Sequence, residues 1–243
     1  MRIPLTRYGW PQVVAFPAAL LVAMIVLALG TIAVLPVWAL VLIEAALAAV
    51  LVWVLMFFRD PERICPSDPN LLLAPADGRV TDIETVDEDG FIGGPALRIG
   101  IFLSIFNVHL NRAPCNARVE TITYKKGKYL NAMNSQSGRL NESNNLGLVR
   151  TDSPTDRLIV RQISGAIARR IVCDTAQGRE LAGGEGFGMI KFGSRTELYV
   201  PVSSSDKQYE IKCLVRIGDK VKAGLTPLLK YEAREIRDAE TEN

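Results

Sequence analysis

GMIKFGSR, residues 188–195, decides the architecture of the second half of the chain. An apolar run ends there at a Gly-Ser pair and resumes as LYVP, residues 198–201. Short apolar runs divided by glycine are typical of β-strands that follow one another in a sheet. Gly193 can adopt backbone conformations that other residues resist, and it leaves its own carbonyl group unshielded. Because the Ser194 hydroxyl comes next, the pair predicts either a turn between strands or a nucleophile beside a carbonyl carbon.

The chain after residue 70 repeats this pattern of short apolar runs. Such runs occupy residues 78–84, 97–103, 117–124, 158–163, 170–173, 187–190, 198–200 and 211–215. They predict a mainly β protein, with a compact antiparallel β domain over residues 71–232. The turn at residues 215–224 adds a resemblance to lipoyl-type and hybrid-motif domains. The polar stretch 130–147 is predicted to be a surface loop, or a lid over a polar substrate headgroup.

Charge, cysteine content and histidine content exclude several classes of function. The net charge is +2, which gives no indication of a nucleic-acid partner. The four cysteines lie far apart without a CxxC pair, as is typical of free thiols in a reducing compartment. The chain has a single histidine, whereas a histidine-based metal site usually needs two or three. We therefore expect neither a nucleic-acid partner nor a metal site.

The excess of hydrophobic residues lies at the N-terminus. Glu44 is the only charged residue between positions 13 and 58. Two apolar runs, residues 16–35 and 37–58, are each long enough to cross a hydrocarbon core, which takes about 20 helical residues. Residues 1–58 are therefore predicted to form a membrane helical hairpin, and a helical pair buried in a soluble core is the alternative.

Arginines flank the hairpin on both sides. Arg2 and Arg7 precede the first apolar run, while Arg59 and Arg63 follow the second. Since positively charged flanks stay on the cytoplasmic side, both ends of the hairpin are expected there. This places the rest of the chain at the cytoplasmic face of the cell membrane. Prolines then predict an extended linker over residues 59–70.

Asp77, His109 and Ser194 are the residue types of an orienting group, a base and a nucleophile. Asp77 precedes a glycine, so it is also typical of an ordinary turn. His109 lies among apolar residues, so a structural role in the core is the alternative to a catalytic one. Spacing alone leaves both interpretations open.

Five stretches together resemble the phosphatidylserine decarboxylase proenzymes of the short bacterial and archaeal type. They are FFRDP (57–61), APADG (74–78), NVHLNR (107–112), ARRI (168–171) and FGSR (192–195). The resemblance implies a lyase of phospholipid biosynthesis, made as a zymogen, that depends on a covalent pyruvoyl group.

In that family the proenzyme cuts itself at the Gly-Ser bond. Carried onto this sequence, the Ser194 hydroxyl attacks the Gly193 carbonyl. The resemblance implies that His109 is the base and that Asp77 orients His109. Ser194 is then converted to the pyruvoyl group at a new N-terminus.

The resemblance also implies the substrate and the assembly. A β chain of residues 1–193 and an α chain of residues 194–243 arise from one precursor, and residues 233–243 are predicted to be a flexible tail. The pyruvoyl ketone forms a Schiff base with the amine of phosphatidylserine in the membrane and accepts electrons as CO₂ leaves. The product is phosphatidylethanolamine, and no further cofactor is implied. The family also favours a homo-oligomer, a dimer.

One position departs from the longer bacterial relatives, which resemble His-Arg-Val-His at the histidine motif. Phe106 stands here in place of the first histidine. Because the chain has no other histidine, we expect His109 to act twice, as the base in self-cleavage and as a proton donor in decarboxylation.

Two other classes of protein share some of these features. A membrane-anchored serine hydrolase would use Asp77, His109 and Ser194 as a triad, but the chain lacks the Gly-x-Ser-x-Gly elbow of many such enzymes. A lipoyl or biotinyl carrier resembles VRIGDKVKAG, residues 215–224, but the Met-Lys-Met or Asp-Lys-Ala signature of the modified lysine is missing from this sequence.

Overall fold

The first two helices form the hairpin predicted from the sequence. The computed structural model describes residues 5–31, 34–131, 133–134, 136–166, 170–191 and 194–234. Helix α1 spans Gln12–Thr31 and helix α2 spans Val37–Phe57, and the two pack against each other. α1 begins before the predicted apolar run, which starts at residue 16, and its first residue is the polar Gln12. Its side chain accepts a hydrogen bond from Lys191 Nζ at 2.9 Å.

The rest of the chain is mainly β and antiparallel, as predicted. A short helix, α3 (Ser137–Leu140), interrupts the strands. The strands are β1 (Leu71–Leu73), β2 (Gly78–Glu88), β3 (Gly94–Leu103), β4 (Leu110–Arg112), β5 (Ala117–Lys125), β6 (Ser143–Arg150), β7 (Arg157–Ile163), β8 (Ile171–Cys173), β9 (Glu180–Leu181), β10 (Gly186–Ile190), β11 (Ser194–Pro201), β12 (Tyr209–Cys213), β13 (Lys220–Val221) and β14 (Pro227–Ala233). Residues 235–243 of the predicted tail lie outside the described residues.

Among the described residues the strands form one large sheet and two small ones. The large sheet has the order β13-β2-β3-β11-β7-β6-β5-β9, and the small sheets have the orders β1-β14-β12 and β4-β10-β8. One face of the large sheet buries the main apolar core, which includes Ile99, Ile101 and Leu198. β11 lies inside the large sheet, between β3 and β7, and carries Ser194 at its start.

The polar stretch 130–147 is not a loop throughout, because its last residues belong to β6. β6 lies inside the large sheet, between β5 and β7. Asn144 Nδ2 donates to Gln162 Oε1 at 3.1 Å, and Arg161 Nε donates to Asn145 Oδ1 at 2.7 Å. The polar first half of β6 lies inside the sheet because its side chains meet hydrogen-bonding groups of β7, and Leu146 and Leu148 of the second half enter the main apolar core.

The base of the hairpin packs against the β domain. Phe57 and Phe58, at the end of α2, are each 1% exposed and join an apolar cluster that includes Met189 of β10. Tyr8, before α1, belongs to the same cluster, and its hydroxyl donates to the Gly186 carbonyl at 2.7 Å. The hairpin is therefore held to the domain by side-chain packing as well as by the linker.

Candidate active site

Ser194 is the first residue of β11 and lies opposite Leu103 of β3. Its side chain is fully buried, and its Oγ has no hydrogen-bond partner among the described residues. Leaving a buried hydroxyl without a partner costs about 1–3 kcal/mol, so such a group is typical of a site with a chemical role. Phe192 and Gly193 lie outside the described residues, and with them the carbonyl side of the predicted cleavage site.

His109 lies between a turn at Asn107 and strand β4, and its imidazole is fully buried. Nδ1 lies 3.0 Å from the backbone carbonyl oxygen of Asn107. A carbonyl oxygen can only accept, so Nδ1 carries the proton of the neutral ring and Nε2 carries the lone pair. Nε2 is buried and has no partner in the part of the chain that the structure describes. The ring is thus oriented as a base, because its Nε2 lone pair is free to accept a proton within the described part of the chain.

The surroundings of His109 keep its imidazole uncharged. Phe57 packs on the ring, with 4.3 Å between the two ring centroids. Burial lowers the pKa of His109 to about 4, and the hydrogen bond to Asn107 opposes this shift. The charge of Arg59 lowers the same pKa, whereas the charge of Asp77 raises it. At neutral pH the side chain is therefore a neutral base.

Strand pairing brings Ser194 and His109 into one part of the fold. Leu103 is the pairing partner of Ser194. At the other end of the loop that follows Leu103, the His109 carbonyl accepts a hydrogen bond from Ile190 N–H at 3.3 Å. The segments that carry the two residues are thus joined at both ends. A hydroxyl and a base, both buried, are the pair of groups needed to activate a nucleophile.

Asp77 lies in the turn before β2 and is 7% exposed. The Arg63 guanidinium donates to both carboxylate oxygens, at 2.6 and 2.9 Å, and Ala223 N–H donates to Oδ1 at 2.8 Å. The carboxylate is thus bound by groups other than His109, whose Nδ1 is held by Asn107. Asp77 acts on the imidazole through its charge, which raises the pKa of His109. Its predicted role in orienting His109 stays a prediction.

A chain of buried amides holds β4 beside β11. Asn111 Nδ2 donates to Thr196 Oγ1 at 2.9 Å, and Gln162 Nε2 donates to Asn111 Oδ1 at 2.9 Å. The Gln162 amide also accepts from Asn144 Nδ2 at 3.1 Å. These bonds connect four strands next to the candidate site. Buried networks of this kind hold the strands that they join in one arrangement.

Three residues of this site were not predicted from the sequence: Phe57, Asn107 and Arg63. The first two lie in stretches that carry the family resemblance, so their positions gave a signal. The contacts of Phe57 and Asn107 with His109 could not be predicted from the sequence, because packing on a ring and a hydrogen bond to a backbone carbonyl depend on the fold. The sequence predicts Arg63 as a charged flank of the hairpin, whereas its side chain is 5% exposed and paired with Asp77.

A cavity of about 460 Å³ opens beside Asp77 and the turn that holds His109. Asp77 and Asn107 line it, and the carbonyl of Asn107 is the group that holds the imidazole. Phe102 also lines it, and the next residue of β3 faces Ser194. The volume lies in the range of small-molecule sites, about 300–1,000 Å³.

Comparisons with known proteins agree on one family. A family model described as phosphatidylserine decarboxylase matches residues 50–228, a region that contains Asp77, His109 and Ser194. The phosphatidylserine decarboxylase proenzyme of Symbiobacterium thermophilum is 44% identical over 93% of this chain and 95% of its own length. The proenzyme of the same name from Desulfotalea psychrophila is 44% identical over 72% of this chain and 77% of its own length. The proenzyme of the same name from Azorhizobium caulinodans is 37% identical over 97% of this chain and 93% of its own length.

Proposed function

The chain belongs to the phosphatidylserine decarboxylase family, and from this premise we propose that it is a carboxy-lyase that converts phosphatidylserine to phosphatidylethanolamine and CO₂. The observation that carries the proposal is a pair of buried atoms without partners among the described residues, Ser194 Oγ and His109 Nε2. A hydroxyl and a neutral base, in a chain whose relatives are named proenzymes, support self-processing at Ser194.

The first reaction in this proposal is an internal cut between Gly193 and Ser194. His109 Nε2 accepts the hydroxyl proton, Oγ adds to the Gly193 carbonyl carbon, and the peptide C–N bond breaks to leave an ester and a free amine. Loss of the α-proton of Ser194 then expels the Gly193 carboxylate, and water replaces the nitrogen, which leaves as ammonia. The products are a β chain, residues 1–193, and an α chain, residues 194–243, that begins with a pyruvoyl group.

The residues present fit a pyruvoyl group at position 194. When formed, its ketone supplies an electrophile for the substrate amine and an electron sink for the pair released with CO₂. His109 would move the protons: Nε2 would accept one while the substrate amine is bound to the ketone, and would return it to the carbon that has lost CO₂. The donor role requires that earlier transfer, because burial lowers the pKa of His109 to about 4 and leaves the ring unprotonated at pH 7.

The pairing of the strands supports two chains that stay together after the cut. β11 pairs with β3 and β7, β13 pairs with β2, and β14 pairs with β1, so three strands after residue 193 are bonded to strands before it. β12 is bonded to β14. A cut at residue 193 would therefore leave a new chain end that is held inside the large sheet.

The same proposal places the protein in the cell membrane, with the β domain on the cytoplasmic side. α1 and α2 have 20 and 21 residues and a mean hydropathy of 2.7 each. Apolar side chains far from the domain are exposed, such as Leu29 at 76% and Trp38 at 68%. A helical pair of a soluble core would bury them, so this exposure favours a bilayer. Arg7 and Arg59, at the two ends of the hairpin, support the cytoplasmic placement.

A membrane-anchored serine hydrolase that uses Asp77, His109 and Ser194 is not supported. The similar proteins of Symbiobacterium thermophilum, Desulfotalea psychrophila and Azorhizobium caulinodans are named phosphatidylserine decarboxylase proenzymes. The Asp77 carboxylate is also bound to Arg63, whereas a hydrolase triad requires it on the imidazole.

The wild-type protein in detergent tests the proposed function. Intact mass should give two chains split after Gly193, with the smaller chain blocked by a pyruvoyl group. The same preparation should release CO₂ from phosphatidylserine and form phosphatidylethanolamine. An uncut chain that still decarboxylates phosphatidylserine would contradict the pyruvoyl mechanism. A cut chain that does not act on phosphatidylserine would contradict the proposed substrate.

Asp77→Asn should slow self-cleavage by at least about tenfold, because His109 loses the nearby negative charge that strengthens it as a base. It should also lower the free energy of unfolding by about 3 kcal/mol, since it breaks a buried ion pair with Arg63. Cell-free synthesis followed over time on a gel measures the first effect, and urea denaturation measures the second. Arg63→Gln is the matched control, because it breaks the same pair but keeps the carboxylate. Equal cleavage rates in the two variants would show that Asp77 acts on the fold alone.

A further inference from the structure

The turn that resembles lipoyl-type domains carries two lysines to the candidate site. β13 pairs with β2, with Lys220 opposite Arg79 and Val221 opposite Gly78. Val221 is 3% exposed, whereas Lys220 and Lys222 are exposed. Lys220 lies in β13 and Lys222 directly follows it, and both residues line the cavity of about 460 Å³.

Asp77 fixes the backbone next to Lys222. Ala223 N–H donates to Asp77 Oδ1 at 2.8 Å. Arg63 Nη1 donates both to Asp77 Oδ1 at 2.6 Å and to the Ala223 carbonyl at 2.5 Å. Two buried side chains thus hold Lys222 at the edge of the site, which gives Asp77 a positioning role in addition to its charge.

The cavity of about 460 Å³ is lined by four cationic side chains, Arg59, Arg79, Lys220 and Lys222. None of them takes part in an ion pair within the described part of the chain. The hydrogen bonds of Arg59 and Arg79 there go to uncharged backbone carbonyls. The acidic side chain of the lining, Asp77, is already held in a buried ion pair. The cavity therefore carries uncompensated positive charge and suits an anion.

The cavity lies next to the turn that holds His109 and next to Arg59, which follows the hairpin. Asn107 in its wall holds the imidazole of His109, and Ser104 in its wall follows the last residue of β3, Leu103, which is the pairing partner of Ser194. Arg59 follows the end of α2 almost directly, so the cavity is level with the end of the proposed membrane span. Phospholipid phosphates lie at that level of a bilayer.

We propose that this cavity binds the phosphodiester group of the substrate lipid, with Lys220 and Lys222 as specificity-determining contacts. The inference rests on the proposed function. Phosphatidylserine has two anionic groups, the phosphate and the serine carboxylate. Cations on the carboxylate would stabilise the ground state and oppose the loss of CO₂, because negative charge leaves that group in the transition state. We therefore expect the phosphate to bind in the cationic cavity and the carboxylate to lie in the apolar surroundings of His109.

Steady-state kinetics on a short-chain, monomeric phosphatidylserine separate substrate binding from membrane binding. Lys220→Ala and Lys222→Ala should each raise KM about tenfold, the effect of losing one charge-assisted contact, with kcat unchanged. Lys220→Arg and Lys222→Arg keep the charge and should stay near the wild-type KM. Lys212→Ala is the matched control, an exposed lysine of β12 that is outside the cavity lining. Self-cleavage should be normal in all these variants, because Ser194 and His109 are unchanged.

An unchanged KM on the monomeric lipid would overturn the proposal. This includes the case in which only the rate on phosphatidylserine vesicles falls, since the lysines would then bind the membrane surface. Inorganic phosphate should compete with the substrate in the wild type and lose this effect in the double alanine variant. Activation by phosphate would indicate a site for the free anion and would also overturn the proposal. Inactive wild-type protein would contradict the proposed function as well, whereas active wild type with an unaltered variant KM contradicts the cavity assignment alone.

Discussion

Ser194→Ala should remain a single chain of 26.7 kDa and lose decarboxylation by at least about 10⁴-fold. The methyl side chain has no oxygen to add to the Gly193 carbonyl carbon, so no ester forms and no pyruvoyl group can follow. The fold should be retained, because Ser194 Oγ has no hydrogen bond among the described residues to lose. Intact mass measures the cut, and formation of phosphatidylethanolamine measures the activity.

Two further variants make this test specific. Ser204→Ala is the matched control, because Ser204 is 8% exposed and lies in a turn, where its Oγ accepts from Asp206 N–H at 3.2 Å. It should be cut and active. Ser194→Cys keeps a nucleophile and should be cut through a thioester. Decarboxylation by an uncut Ser194→Ala chain would rule out the pyruvoyl group as the source of activity.

His109→Gln should slow self-cleavage by at least about 100-fold, because the amide cannot accept the hydroxyl proton as a base. In the wild type, the cleavage rate should not depend on pH between about 5 and 8 and should fall about tenfold per unit below about pH 4. The direction follows from burial, which lowers the pKa of His109 to about 4. The ring acts as a base only while it is neutral, and it is neutral above that value. Uncut protein from cell-free synthesis, transferred to a series of buffers, gives the profile.

A cleavage profile with a midpoint near 6.5 would contradict this account, since that is the pKa of an exposed imidazole. The donor role of His109 needs a separate test. His109→Ala protein assembled with a separately prepared pyruvoyl α chain should decarboxylate slowly. A wild-type rate in that assembly would assign the proton to another group.

The strands that could be predicted from the sequence are those with one apolar face. In β3, Ile99 and Ile101 alternate with other residues and enter the main core, so the period of two was visible. β6 has such a face only in its second half, where Leu146 and Leu148 enter the same core. Its first half is polar, and Asn144 there is buried against the amide of Gln162, so the strand as a whole resembled a loop. A polar residue that will find a buried partner has the same appearance in a sequence as one that faces solvent.

The candidate site shows the same division. Ser194 and His109 could be identified by residue type and family resemblance, because the chemistry requires a hydroxyl and a base. The partners of Asp77 could not, since Ala223 lies 146 positions along the chain and Arg63 had an ordinary explanation as a hairpin flank. Hydrogen bonds with backbone groups, such as those that hold Asp77 and His109, cannot be predicted from residue types, because all residues except proline have the same backbone groups.

Phe57 lies in the apolar hairpin, as the last residue of α2, and its ring contacts the imidazole of His109. Soluble forms of membrane-attached enzymes are usually made by deleting the hydrophobic segment. Here a deletion that runs through residue 57 would also strip the aromatic cover from His109 and admit water to the ring. Hydration would move the imidazole pKa back towards its ordinary value. A truncated protein is therefore comparable with the full chain only if its boundary leaves this aromatic residue in place.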